Sequence, residues 1–158
     1  MNAFRLIPIK EDGSIEGPFD AIPQIARKIC VSTLSIYNIV GYTPPWIGYL
    51  VVEFGRFIGT CAFKAAPSEN RVEIAYYTFP RYQKKGYATQ MVRAMIDIAV
   101  KECPGIAVAA QTLPEENGSA SILKKIGFAF SGRVQHPEDG LVWEWSFQTP
   151  LKEVRQKK

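Results

Sequence analysis

The strongest pattern in the chain is a change of period. Around Val72 to Thr78 the apolar and β-branched residues Val72, Ile74, Tyr76 and Thr78 alternate with Glu73, Ala75 and Tyr77, which predicts a strand ended by Pro80. From Ala88 the period lengthens, and Met91, Val92, Met95, Ile98 and Ala99 predict a helix to Glu102, stopped by Pro104 and Gly105. Before this pair the pattern predicts a strand at Ala3 to Ile9 and a turn-rich link, EDGSIEGP. A helix follows over Ala21 to Val40, carried by Ile22, Ile25, Ala26, Ile29, Cys30 and Leu34. Val31, Ile36, Ile39 and Val40 lower the helix preference of its second half, so a bend or two short helices is expected before Gly41. YLVVE and RFIGTCAFK then form a hairpin through Phe54 and Gly55, giving three consecutive antiparallel strands with Val72 to Thr78.

After the central helix, Ile106 to Ala110 is nearly all apolar, as expected of a strand covered on both faces and parallel to its predecessor across the helix. Residues 112 to 128 predict a helix capped by Asn117 or a nearby Ser, containing Ala120, Ile122, Leu123 and Ile126 and closed by Gly127. AFSGRVQ and LVWEWSFQ make a final hairpin with Trp143 and Trp145 on one face.

A chain of 158 residues suits one domain, taken as residues 1 to 150 with a basic tail at 151 to 158. The tail supplies part of the net charge of +4, the remaining positive residues are dispersed, and no aromatic-basic motif suggests a nucleic-acid partner. No apolar stretch suits a signal peptide or a membrane span, so a cytoplasmic protein is expected. Cys30, Cys61 and Cys103 are odd in number and lack a CxxC pair, and His136 is the single histidine; neither a disulfide framework nor metal catalysis is expected.

The chemistry concentrates in QKKGYA, residues 83 to 88, which lies between strand and helix. The first amides of a helix lack intrahelical partners and carry the positive end of its dipole, so such a turn can cradle a pyrophosphate. EIAYYTFPRYQKKGYAT resembles the GNAT (GCN5-related) N-acetyltransferases, whose acetyl-CoA loop reads Arg or Gln, two variable residues, Gly, one variable residue, then Gly or Ala. Gln83, Gly86 and Ala88 fill those places, whereas Ala75 replaces a usual Gly and Lys84 stands where the ribosomal-protein-alanine acetyltransferase branch often has Gly. Asn-Gly-Ser at Asn117 to Ser119, followed by ILKKIGF, resembles a second motif of that branch.

The resemblance implies a central mixed, mostly antiparallel α/β sheet of about seven strands, with helices on its faces and a splayed parallel pair admitting pantetheine. It implies acetyl-CoA as cosubstrate, held by Tyr76, Tyr77, Thr78, Phe79, Gln83, Lys84, Lys85, Gly86, Tyr87, Ala88, Thr89, Asn117 and Ser119, with no metal. Lys84 and Lys85 read equally as a solvated basic turn. Glu73 is the candidate base, or else a strand residue facing Arg71 or Lys64. A base is needed because at pH 7 only about one α-amine in ten is neutral. A backbone NH near Tyr77 to Phe79 would polarise the thioester carbonyl. Ser119 is the candidate acid for the thiolate or simply a cap residue, with Tyr76 and Tyr77 as other donors. Tyr42 and Trp46, in GYTPPWIG, form a wall of the acceptor cleft or a loop anchored by a buried Trp. The acceptor is expected to be a protein N-terminus or a small amine, bound in loops Tyr42 to Ile47 and Gln135 to Gly140. The alternatives are a non-catalytic acyl-CoA-binding regulatory module and, for the final aromatic hairpin, a homodimer contact instead of ordinary core.

Overall fold

The computed structural model describes residues 3–19 and 21–151. The predicted tail, apart from Leu151, lies outside the described residues. Seven strands form one sheet: β1 (Phe4–Pro8), β2 (Gly48–Glu53), β3 (Arg56–Phe63), β4 (Arg71–Thr78), β5 (Ala107–Thr112), β6 (Ala129–His136) and β7 (Gly140–Gln148), in the order β1-β2-β3-β4-β5-β7-β6. Every pairing is antiparallel except β4 with β5. Three helices accompany it: α1 (Gln24–Val40), α2 (Tyr87–Glu102) and α3 (Gly118–Ile126). None of them is long and apolar enough to cross a membrane.

The β2–β3 turn uses Phe54 and Gly55, both at positive φ (52° and 76°), the geometry whose twist matches a two-residue hairpin. In α2 the buried set is Met91, Val92, Met95, Ile96 and Ala99. Ile96 thus takes the core position expected of Ile98, which is only partly buried. Helix α3 begins on the cap expected from sequence, the Asn117 side chain accepting from the Ala120 amide at 2.9 Å, and ends at Gly127 with φ 125°.

Helix α1 is one continuous helix, not two short ones. Its β-branched residues Val31, Ile36, Ile39 and Val40 are largely exposed, so they cost only a few tenths of a kcal/mol each in propensity. Against that, Tyr37 locks the last turn. Its buried hydroxyl donates to the Ile9 carbonyl at 2.7 Å and accepts from the Gly48 amide at 3.0 Å, tying α1 to the start of β2 and the end of β1. Tertiary anchoring outweighs the local preference.

The core lies mainly between the sheet and α2 with α3, around Leu50, Ile58, Ile74, Met91, Met95, Val108 and Leu123, all essentially sealed from solvent. Trp143 and Trp145 do share a face, their rings 6.3 Å apart. Trp145 is buried, and its indole N–H donates to the Thr112 hydroxyl at 3.0 Å, so the polar atom of the largest core side chain is satisfied.

Candidate active site

Strands β4 and β5 stay together only from Arg71 to Ile74, opposite Ala107 to Ala110. Beyond that β4 remains with β3 as far as Thr78, while β5 follows β7. A gap therefore opens beside Ala75 to Thr78. The Lys64 amide donates to the Glu73 carbonyl and the Phe79 amide to that of Ile58, which fixes the alternation of β4. The amides of Ala75 and Tyr77 point to β3, and those of Tyr76 and Thr78 point into the gap. Phe79, included among the candidate donors, is thus committed to β3.

A cavity of about 520 Å³ occupies this gap, bounded by Tyr76, Tyr77 and Thr78 on one side, the 83–88 loop beneath and Asn117, Ser119 and Ile122 opposite. The loop is held by its own side chain, since Gln83 Nε2 donates to the Thr78 carbonyl at 3.0 Å. Lys84 and Gly86 both adopt left-handed backbone (φ 64° and 88°), and Gly86 caps α2. The glycine meets that geometry without steric cost, and the turn presents the first amides of α2 to the cavity.

Two polar atoms lining this cavity, the Tyr76 hydroxyl and the Thr78 hydroxyl, are buried without a well-formed hydrogen-bond partner. Burial pushes the Tyr76 phenol up to about 12 from 10.0, with the nearby Ser119 side chain opposing part of the rise. It therefore holds its proton throughout the neutral range. Because the folded pKa lies above the unfolded one, this contribution to stability is complete below about pH 10 and is lost as pH climbs through about 12. Burial raises the Tyr37 phenol as well. Thermal melts should accordingly show a steep fall in Tm above pH 10, and Tyr76→Phe should blunt it. Asn117 spends its side-chain oxygen on the helix cap, which leaves its amide nitrogen to the cavity.

The other face of β4 carries Glu73, Ala75 and Tyr77, on the side of α1. There a second cavity, of about 350 Å³, is lined by Thr33, Ile36, Tyr37, Gly48, Ala62, Phe63, Lys64, Ala75 and His136. Lys64 Nζ lies 2.7 Å from Glu73 Oε2, and the Glu73 side chain is 18% exposed. The two cavities reach neighbouring residues of one strand from opposite sides.

Residues 26–129 match the family model "Acetyltransferase (GNAT) domain". The chain belongs to the GNAT family. It is similar to YnaD of Bacillus subtilis (strain 168), an uncharacterised N-acetyltransferase, with 30% identity over 61% of this chain. The match covers 58% of that protein, so the chain spans little more than half of this curated relative. Among solved structures, RimL, a ribosomal L7/L12 alpha-N-protein acetyltransferase, superposes with TM-score 0.69 at 14% identity, covering 94% of each chain. The microcin C7 self-immunity acetyltransferase MccE, solved with acetyl-CoA and AMP, gives TM-score 0.62 at 13% identity over 78% of this chain and 70% of that one. At these identities the structures show the GNAT fold alone.

Of the residues singled out in sequence, this GNAT chain brings Tyr76, Tyr77, Thr78, Gln83, Lys84, Gly86, Tyr87, Ala88, Asn117 and Ser119 to one cavity. Phe79 is buried, and Lys85 borders a neighbouring cavity with Arg56, Arg81 and Tyr87. Thr89 lies in the first turn of α2, outside the cavity lining. Trp46 is buried edge-on against Phe63, and Tyr42 packs on Tyr37. Both support the second cavity from behind without lining it. Glu73 meets Lys64, the partner weighed for it in sequence, whereas Arg71 pairs with Glu144 at 2.5 Å. Sequence reasoning did not single out Tyr82, Gly118 and Ile122 in the first cavity or Thr33, Ile36 and Lys64 in the second, to which His136 comes from the expected acceptor loop Gln135 to Gly140. Tyr82, Gly118 and Ile122 stand within the two quoted motifs without having been singled out, whereas Thr33, Ile36 and Lys64 belong to no motif and converge only through the packing of α1 on the sheet.

Proposed function

We propose that this chain transfers the acetyl group of acetyl-CoA to a primary amine by direct attack in a ternary complex. The observation that carries the reading is the pair of buried hydroxyls of Tyr76 and Thr78 in the β4–β5 gap, neither with a well-formed hydrogen bond, although Ser119 lies near the first. An orphaned buried polar group costs roughly 1–3 kcal/mol, and a polar ligand in the gap would remove that cost. An acyl-pantetheine arm supplies polar atoms along its length, and the α2 N-terminus below suits a pyrophosphate. CoA and acetyl-CoA occupy solved proteins of the same fold.

In this scheme Glu73 accepts a proton from the ammonium of the acceptor. The freed nitrogen lone pair forms the C–N bond to the thioester carbonyl carbon, and the C–S bond breaks. The Thr78 amide, and that of Tyr76, point to where the oxyanion develops. The departing thiolate takes a proton from the Ser119 or Tyr76 hydroxyl, which lie together; Tyr76 keeps its proton at neutral pH, and the second proton shed by the nitrogen as the amide forms restores the hydroxyl that gave one up.

Calorimetric titration with acetyl-CoA, followed by thiol release against peptides and small amines, tests this. Binding with release is expected. Binding without release on any amine would favour a non-catalytic acyl-CoA module, and no binding would overturn the reading. Tyr76→Phe separates ligand use from architecture. Removing an orphan hydroxyl should leave the free protein as stable or up to about 1 kcal/mol more so, while turnover falls. A loss of stability in the free protein would mean that the hydroxyl serves the fold.

A further inference from the structure

We infer that the acceptor is an α-amino acid with an apolar side chain, whose carboxylate as well as its amine is recognised in the cavity under α1. The inference rests on the acetyltransferase reading above and adds the acceptor's chemistry. The cavity of about 350 Å³ is at the small end for a ligand site, which suits one compact molecule. Its walls at Ile36, Phe63, Ala62 and Ala75 are apolar. Its polar side chains are Thr33, Tyr37, Lys64 and His136, with no carboxylate among them.

Those polar groups are donors. The Tyr37 hydroxyl is consumed by Ile9 and Gly48. His136 Nδ1 accepts from the Glu138 and Asp139 amides, each at 3.1 Å, so in the neutral ring the proton sits on Nε2. Lys64 contributes an ammonium and Thr33 a hydroxyl. A site furnished with an ammonium, an imidazole N–H and a hydroxyl is complementary to an anionic group and gives nothing to the distal ammonium of a polyamine.

The Lys64–Glu73 pair sharpens the argument. With Lys64 at 2.7 Å, Glu73 already has a cationic partner, which an incoming ammonium must displace. A zwitterionic acceptor resolves this by exchanging partners: its carboxylate draws Lys64, and its ammonium takes the place of Lys64 on Glu73. A simple amine has nothing to offer Lys64 and must compete with it. Of the other charged groups nearby, Arg71 is paired with Glu144, and the exposed Asp139 carboxylate lies 3.6 Å from His136 Nδ1, on the ring edge away from Nε2.

The test compares leucine, methionine and phenylalanine with their carboxamides, with short peptides carrying the same N-terminal residue, and with spermidine, by thiol release from acetyl-CoA. The free acids are expected to exceed the amides in kcat/KM by about ten- to a hundredfold, the range of one charge-assisted hydrogen bond. Lys64→Met should collapse that ratio towards one, and Lys64→Arg should keep most of it. Amides, peptides or spermidine used as well as the acids by the unaltered protein would overturn the inference while leaving acetyl transfer intact. A ratio that survives Lys64→Met would overturn it as well. Acetyl-CoA binding with no amine acetylated would instead bring down the transfer reading, and this inference with it.

Discussion

Gly59→Val is expected to destabilise the protein by about 3 kcal/mol or more, among the larger effects of a single substitution. A Cβ at this position in β3 would lie 2.4 Å from Met91 Cε, 2.5 Å from the Tyr77 carbonyl oxygen and 3.2 Å from Thr78 Cα. The Met91 methyl group is the end of a flexible side chain and can move. The other two atoms are backbone, and they belong to the part of β4 that borders the gap. The glycine is needed for space between β3, β4 and α2; its backbone conformation demands nothing special. Even Gly59→Ala must push Tyr77 and Thr78 outward, so a weakened affinity for acetyl-CoA should accompany the lower denaturant midpoint. Shortening the movable neighbour, in Gly59→Ala with Met91→Ala, should not restore stability, because the backbone collision persists and a core cavity is added. An alanine variant within about 0.5 kcal/mol of the parent, the range of an innocuous surface change, would show that β3 and β4 are not packed this closely.

The legible part of this protein was the part written in local spacing. Gln83, Gly86 and Ala88 between a strand and a helix, and Asn117 as the cap of α3, are properties of short runs of residues, and the fold places them as that spacing implies. The continuity of α1 was not legible. Its β-branched residues argue for a break, and the hydroxyl of Tyr37 that overrides them reaches Ile9, 28 residues away. The second cavity was legible only as one of its loops, Gln135 to Gly140. His136 reads in sequence as a lone histidine in a turn, and only the return of β6 along β7 brings it opposite Thr33 and Ala75. For Trp46 the sequence left open a cleft wall or a loop anchored by a buried Trp, and its ring, 5.0 Å from that of Phe63, is buried in the core. Local motifs therefore account for the residues gathered in the first cavity, while the second cavity depends on contacts between distant segments.

Glu73→Gln should lower kcat by about 10²–10⁴, the usual contribution of a positioned general base, with little change in affinity for acetyl-CoA. The second half of that expectation follows from placement. Glu73 faces the α1 side of β4, away from the cavity assigned to the donor, and its ionic partner among the described residues is the half-exposed Lys64. An ion pair of this exposure is worth at most about 1 kcal/mol, so the variant should fold and the loss can be read as chemistry. The pH profile separates the roles left to this carboxylate. If it removes a proton from the ammonium, its loss matters most where the amine is protonated. The deficit should then shrink as pH rises past the amine's own pKa, about 8 for a peptide N-terminus and higher for a lysine. If Glu73 only orients the acceptor through hydrogen bonds that glutamine also makes, the variant should retain most of its activity at every pH. A deficit that is large but independent of pH would assign the proton transfer to another group, and Glu73 would then serve to hold Lys64 in place at the edge of the acceptor cavity.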